Sequence, residues 1–111
     1  MTNRHLEIFI TVYQQASFSK AADLLYISQP AVSKYINEIE AAYDNHLFAR
    51  SSHRLMVTPF GEELYDYASR ILALYNEMEF SLSNFSRKEK SLRIGAGIAI
   101  GNIYLPQLIN A

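Results

Sequence analysis

Apolar residues recur at helical spacing in three successive segments of the first half of the chain. The first helix is predicted over residues 3–15, where Thr2 or Asn3 can act as the N-cap. Its apolar stripe consists of Leu6, Phe9, Ile10 and Tyr13. A stripe of this kind indicates a helix with one face in a domain core and the other in solvent.

Two further helices follow, and each is preceded by a serine that can cap it. After Ser17, the small pair Ala21 and Ala22 allows another helix to approach closely. After Ser28, Pro30 lies in the first helical turn, where its missing N–H costs nothing. The third helix has an apolar face of Val32, Tyr35, Ile36 and Ile39 and a polar face of Ser33, Lys34, Asn37 and Glu38. It is therefore predicted to be amphipathic, with a polar outer face.

Two short apolar runs with a polar connection come next in the chain. Residues 47–50 and 55–58 are predicted strands, and residues 51–54 have the length and chemistry of a hairpin connection. The sequence therefore predicts a two-stranded β-wing. The three helices and the wing together are predicted to form one domain over residues 1–58.

A long helix is predicted from residue 59 to about residue 86, because Thr58 and Pro59 combine an N-cap with proline at the first helical position. Apolar residues along it are spaced alternately by four and three. They are Leu64, Ala68, Ile71, Tyr75, Met78, Leu82 and Phe85. A heptad seam on a helix of about 40 Å favours a partner helix, so residues 59–86 are predicted to dimerise. Packing of the seam within one chain is the alternative.

The final part of the chain changes character at a polar, charged run. Residues 87–91 are predicted to form a hinge. Residues 92–111 are predicted to be a strand and an opening helix, the first βα unit of a truncated α/β domain, because the two elements cannot form a core alone. The glycine pattern here is similar to a dinucleotide-binding fingerprint. Its members Gly95, Gly97 and Gly101, however, have the spacing GxGxxxG rather than GxGxxG.

Composition narrows the classes of function. Half of the 111 residues are hydrophobic, which excludes a disordered chain. There is no cysteine, and the histidines His5, His46 and His53 lack metal-ligand spacing, so no disulfide and no metal site are predicted. His5 and His46 are assigned no role. No nucleophile is paired with a base, so no catalytic residues and no enzyme are predicted. The absence of a leader or spanning segment favours a cytoplasmic protein without membrane contact.

The charge distribution leaves the choice of partner to the fold. The formal net charge is −1, and five basic and five acidic residues cancel within residues 1–60. Residues 18–37, however, match a helix-turn-helix, with Ala22 where the helices touch and Leu25, Ile27 and Val32 between them. Tyr26 stands where such turns usually carry glycine. This pattern predicts double-stranded DNA as the partner, read in its major groove by the second helix of the motif.

The same residues resemble the N-terminal region of the LysR-type transcriptional regulators. The shared succession is Ala16-Ser17-Phe18, Ala21-Ala22, Leu25, Ser28-Gln29-Pro30-Ala31-Val32-Ser33, Ile36, Glu40, Leu47-Phe48-Ala49-Arg50, Thr58 and Gly61. The resemblance implies a mainly α fold: a winged helix-turn-helix of three helices and a two-stranded wing, then a long dimerising linker helix. It also implies a separate C-terminal domain for a small-molecule inducer, so that the chain itself needs no cofactor. The same resemblance implies dimers assembled into tetramers, a nucleoid-associated location in bacteria and RNA polymerase as a further candidate partner.

The chain departs from the family pattern in three places. Tyr43 and Asp44 replace a Leu-Gly pair after the third helix, and Asn45 is expected to supply the left-handed turn residue. His53 stands where a wing arginine is common, with Arg54 beside it. Residues 98–99, Ile and Ala, replace the hydroxyl residues often found after the first strand of the inducer domain. The wing contacts and the class of inducer are therefore left open.

Candidate DNA contacts follow from side-chain chemistry. Gln29 and Asn37 can pair with adenine edges, and Lys34 can reach guanine or phosphate. The remaining candidates are Ser33 for bases or phosphate, Pro30 and Ala31 for a thymine methyl, Arg50, His53 and Arg54 for backbone or minor groove, and Ser17 and Ser28 at helix starts for phosphate. The predicted function is a sequence-specific transcription regulator that binds an inverted repeat as a dimer through residues 28–43 and the wing. The alternative is a coiled-coil protein-interaction module that does not bind DNA.

Overall fold

The computed structural model describes the backbone of residues 1–51 and 53–95 and the side chains of residues 1–51 and 53–85. Its elements are α1 (Asn3–Gln15), α2 (Phe18–Leu25), α3 (Gln29–Tyr43), β1 (Phe48–Ser51), β2 (Arg54–Val57) and α4 (Pro59–Gly95). The predicted fold class, three helices with a two-stranded wing and a long following helix, is confirmed. The chain divides into two compact units, Met1–Leu74 and Tyr75–Ala111.

The helices of the first unit start where the sequence supplies a side-chain acceptor. Thr2 caps α1, where its hydroxyl accepts from the His5 amide. Ser17 caps α2 by accepting from the amide of Lys20 at 3.1 Å. Ser28 caps α3 by accepting from the amide of Ala31 at 3.2 Å, with proline in the first turn. Each cap satisfies an amide that has no partner within its helix, which is why these starts were predictable from the sequence.

Residues in the left-handed conformation terminate these three helices. Ala16, Tyr26 and Asp44 have φ of 53°, 58° and 50°, and none of them is glycine. The prediction that Asn45 supplies the left-handed residue after α3 is wrong, because Asp44 does so and its amide donates to the Glu40 carbonyl. Aspartate shares with asparagine a short polar side chain that tolerates this conformation.

The core lies where α1, α2 and α3 meet the base of the wing. Its fully or nearly buried members are Ile8, Phe9, Val12, Ala21, Ala22, Val32, Ile36, Ile39 and Leu47. The buried face of α1 is centred on Ile8, Phe9 and Val12, whereas Ile10 and Tyr13 of the predicted stripe are only partly buried. The small side chains of Ala21 and Ala22 are buried in this core, as expected for close helix packing.

The wing is an antiparallel pair in which Phe48 lies opposite Val57 and Ser51 lies opposite Arg54. Both strands lie one residue nearer the turn than predicted. The reason is Leu47, which was predicted to open the first strand. Its side chain is fully buried and anchors the wing in the core. Two residues therefore connect the strands, and one of them, His53, has φ of 64°.

Helix α4 starts after Thr58, whose hydroxyl oxygen accepts from the amide of Gly61 at 3.0 Å. It is continuous to Gly95, so the hinge predicted at residues 87–91 and the strand predicted from residue 92 are both replaced by helix over the described residues. The charged run contains neither glycine nor proline and is rich in Arg, Lys and Glu, which favour helix. The rest of the predicted βα unit, residues 96–111, lies outside the described residues. None of the helices described is long and apolar enough to cross a membrane.

Candidate nucleic-acid interface

The turn between α2 and α3 has the form of a helix-turn-helix. The amide of Ile27 donates to the carbonyl of Ala22 at 3.1 Å, and the turn residue Tyr26 is left-handed. The Tyr26 side chain is 93% exposed, so the position tolerates a large residue sterically. The conformation still costs about 1–2 kcal/mol relative to glycine. The turn is thus built in the expected place with an unfavourable residue type.

Helix α3 turns its predicted contact residues outwards. Val32, Ile36 and Ile39 fix it to the core. Among the predicted contacts, Ser28, Gln29, Pro30, Lys34 and Asn37 are exposed, and Ala31 and Ser33 are half-buried. Because the buried residues occupy the opposite side, the polar face is free to enter a groove of DNA.

A groove of about 230 Å³ runs between the start of α2, the start of α3 and the wing. It is lined by Ala16, Ser17, Phe18, Ser19, Gln29, Arg50, His53, Arg54 and Leu55. Five of the predicted DNA contacts, Ser17, Gln29, Arg50, His53 and Arg54, therefore share one concavity. None of the described lining residues is acidic, and the guanidinium of Arg50 lies 6.0 Å from the centre of the Phe18 ring. The net charge of −1 thus conceals a local basic site.

The remaining predicted contacts do not line this groove. Pro30, Ala31, Ser33, Lys34 and Asn37 lie on α3 itself, and the hydroxyl of Ser28 is occupied as a cap. The candidate interface therefore has two parts, the polar face of α3 and a basic groove beside it. Gln29 belongs to both.

The role of His5 was missed at the sequence level. Its Nδ1 lies 3.1 Å from the backbone nitrogen of Thr2, which completes a capping box, and its Nε2 lies 2.7 Å from Oε1 of Glu38 on α3. The hydrogen bond from His5 lowers the pKa of Glu38 below its ordinary 4.5, against a smaller effect of desolvation, and Lys34 adds to the lowering. The three-residue spacing from Thr2 was the only local signal for this arrangement.

Two side chains tie the wing to the helices. Oε2 of Glu40 accepts from the amide of Leu47 at 2.8 Å. The hydroxyl of Thr58 contacts the carbonyl oxygens of His46 and Leu47. Glu40 and Thr58 both belong to the shared family pattern, Thr58 also as the predicted N-cap of the long helix, and these hydrogen bonds give both residues a structural reason. They hold the base of the wing and thereby position Arg50 and Arg54.

The predicted dimer seam on α4 is only partly available. Ala68 is fully buried and Leu64 packs against the core of the same chain, so both serve intramolecular packing. Ala68 therefore has no surface left for a partner helix, whereas Leu64 is only half-buried and stays a predicted member of the seam. The other members, Ile71, Tyr75, Met78, Leu82 and Phe85, are all more than two-fifths exposed. Tyr67 and Leu74, which lie seven residues apart outside the predicted seam, are exposed apolar residues as well.

A polar recognition helix braced by a shorter helix, with a basic wing beside it, is the construction of DNA-binding winged helix-turn-helix proteins. The family model for bacterial regulatory helix-turn-helix proteins of the lysR family matches residues 3–62. The chain belongs to this family, which confirms the predicted class of regulator and disfavours the coiled-coil module. Within the described residues, no group of His, Cys, Asp or Glu could hold a metal ion.

Relatives of the chain carry regulator names. It is 43% identical over 105 residues to a probable RuBisCO transcriptional regulator of Cyanidioschyzon merolae, covering 94% of this chain and 35% of the relative. It is 34% identical over 110 residues to the HTH-type transcriptional regulator BenM of Acinetobacter baylyi, covering 99% and 36%. The chain thus spans about a third of the length of these relatives.

Solved structures of DNA complexes share the fold. The BenM DNA-binding domain bound to benA site 1 DNA superposes with a TM-score of 0.73 at 35% identity, covering 77% of this chain and 99% of that one. The CbnR DNA-binding domain in complex with DNA gives a TM-score of 0.72 at 28% identity, covering 78% and 99%. Both neighbours are DNA-binding domains in complex with DNA.

Proposed function

We propose that this chain is the sequence-specific DNA-binding region of a LysR-type transcription regulator and that it binds an interrupted inverted repeat as a dimer. The observation that carries the proposal is the exposed polar face of α3 beside a basic groove that contains Arg50 and Arg54. The DNA complexes of two related domains support DNA as the partner of this chain.

In this mode α3 enters the major groove and the wing follows the backbone. Gln29 and Asn37 pair with adenine edges, and Lys34 pairs with phosphate or guanine. The groove formed by Ser17, Arg50 and their neighbours receives a backbone phosphate, where the amides at the start of α2 and the guanidinium groups both favour an anion.

Selection of duplexes from a random pool, followed by titration of the best binder, tests the recognition helix. Lys34→Ala should weaken binding to every sequence and reduce the salt dependence by about one phosphate contact. Gln29→Ala should relax the preference at one base pair, with a loss of roughly 1 to 3 kcal/mol against the selected duplex. If both variants bound every duplex as the parent does, the assignment of α3 would fail.

The proposed dimer uses the exposed apolar residues of α4 from Ile71 to Phe85. A charged residue in this seam should dissociate the dimer, because an unpaired charge would be buried between the helices. Leu82 and Phe80 offer a matched pair, since both are more than half exposed and two residues place them on opposite sides of the helix. Leu82→Glu should give monomers in analytical ultracentrifugation, and Phe80→Glu should leave dimers. Equal behaviour of the two variants would exclude this seam.

For the whole protein, we propose the organisation of a LysR-type regulator. The whole regulator carries a further α/β domain that binds a small inducer, its dimers pair into tetramers, and it acts in the cytoplasm on RNA polymerase without catalysing a reaction. Mapping of bound sites across a genome would test this, because it yields the operator and the neighbouring regulated genes together.

A further inference from the structure

The carboxylate of Glu38 lies at the edge of the recognition face with a different partner on each oxygen. Oε1 is 2.7 Å from Nε2 of His5, and Oε2 is 3.6 Å from Nζ of Lys34. His5 belongs to α1, whereas Lys34 is one of the predicted DNA contacts on α3. One carboxylate therefore links the start of the domain to a residue that is expected to meet the duplex.

The hydrogen bonds of His5 define which of its ring nitrogens donates to Glu38. The backbone amide of Thr2 can only donate, so Nδ1 of His5 accepts from it and carries no proton. In the neutral ring the proton is then on Nε2, which donates to Glu38. The ring also packs edge-on against Tyr35 at 4.8 Å between centroids. His5 is thus held on three sides and fixes the position of the carboxylate.

Without His5, the pair of Lys34 and Glu38 would have little effect. Lysine four residues before glutamate is the weaker of the two orders of an ion pair in a helix, and exposed pairs of this kind contribute little. Here the carboxylate is already held by His5, so that its second oxygen stays near the lysine without a further loss of side-chain freedom.

We propose that Glu38 attenuates duplex binding by holding Lys34 away from phosphate, with His5 as the residue that positions Glu38. The inference rests on the proposed DNA-binding function. The lysine side chain is 73% exposed, and its Nζ lies 3.6 Å from the carboxylate and 6.0 Å from the centre of the Tyr35 ring, so the carboxylate is its charged restraint. A DNA phosphate must displace Glu38 from Lys34 and then tolerate a nearby negative charge, and both effects reduce affinity for all sequences.

The test is fluorescence anisotropy with a labelled mixed-sequence duplex of roughly 40 base pairs, about four helical turns, at two salt concentrations. Glu38→Gln keeps an acceptor for His5 but removes the charge, and it should tighten binding about two- to five-fold at the lower salt. Glu7→Gln is the control, because it changes the net charge equally at an ion-paired carboxylate on α1. It should change the affinity little.

Two further variants separate the proposed route from simpler ones. In a Lys34→Ala background, Glu38→Gln should tighten binding by a clearly smaller factor, because only the repulsion between the carboxylate and the phosphate is then removed. His5→Phe keeps a ring against Tyr35 but cannot donate to Glu38, so it should tighten binding in the same direction by a smaller factor.

The outcomes are distinct. An unchanged or weaker affinity of Glu38→Gln, an equal gain in the Lys34→Ala background, or a His5→Phe variant that binds like the parent would each overturn the inference while DNA binding stands. If the parent chain itself bound no duplex, the proposed function would fail instead.

Discussion

Gly61 in the first turn of α4 is the position where one methyl group should destabilise the fold most clearly. A Cβ atom at this residue would overlap the backbone carbonyl oxygen of Leu47 and lie 2.8 Å from Cγ1 of Val57. Favourable contacts between carbon atoms begin at about 3.5 Å. The Leu47 carbonyl cannot move aside easily, because it accepts from the amide of Thr58 at 3.1 Å and its side chain is fully buried.

The expected magnitude for Gly61→Ala combines two opposing effects. Alanine in place of glycine inside a helix normally stabilises by about 1 kcal/mol. Overpacking against a fixed backbone costs about 3 kcal/mol, the upper part of the usual range. The net loss is then about 2 kcal/mol of the free energy of unfolding, which corresponds to a fall in Tm of roughly 10 °C for a domain of this size.

Urea denaturation followed by far-ultraviolet circular dichroism measures this loss. The midpoint of Gly61→Ala should fall without a change in the slope of the transition. Ser81→Ala is the matched control, since it adds helix propensity at an exposed position of the same helix and should stabilise slightly. A Gly61→Ala protein as stable as the parent would refute the close packing of α4 on the wing.

Three further predictions concern the turn, the wing base and α1. Tyr26→Gly should stabilise by about 1 kcal/mol, seen as a higher Tm, because it relieves the left-handed tyrosine and its exposed side chain loses no packing. Thr58→Ala should destabilise by about 1–2 kcal/mol in urea denaturation, and Thr58→Ser should restore most of the loss, because the hydroxyl caps α4. Tyr13 donates to Glu62, and this hydrogen bond raises the pKa of Tyr13 above 10.0. The hydrogen bond contributes fully to stability below pH 10, and this contribution disappears as the pH rises through the raised pKa. Thermal melts should therefore show that the Tm of Tyr13→Phe lies below that of the parent at neutral pH and closer to it in alkali.

The sequence predicted features that depend on residues a few positions apart. The helix starts at Ser17 and Ser28 were readable because a cap bonds an amide three residues later. The heptad spacing of α4 was predictable for a similar reason, since residues three and four positions apart lie on the same face of a helix. Its continuation beyond residue 86 was missed, because the polar, charged run was interpreted as a hinge although its Arg, Lys and Glu residues favour helix.

The candidate site was predictable in its residue types but not in its arrangement. Arg50 and Gln29 were both named, yet only the packing of the wing beside α3 brings them into one groove. His5 and Glu38 are 33 positions apart, so no local pattern could pair them. Ala68 fits a dimer seam by spacing, and only the core shows that its own chain already covers it.

By itself, the sequence determined the order of the helices, their capped starts and the wing, since each follows from short-range hydrogen bonding and hydrophobic period. The family of regulators was indicated separately, by the resemblance of the motif residues. The tertiary structure alone decided which apolar residues of α4 remain exposed, that His5 holds the carboxylate of Glu38, and how the arginines join the helix start. These features depend on contacts between distant segments, and such contacts exist only once the core has fixed the distances between them.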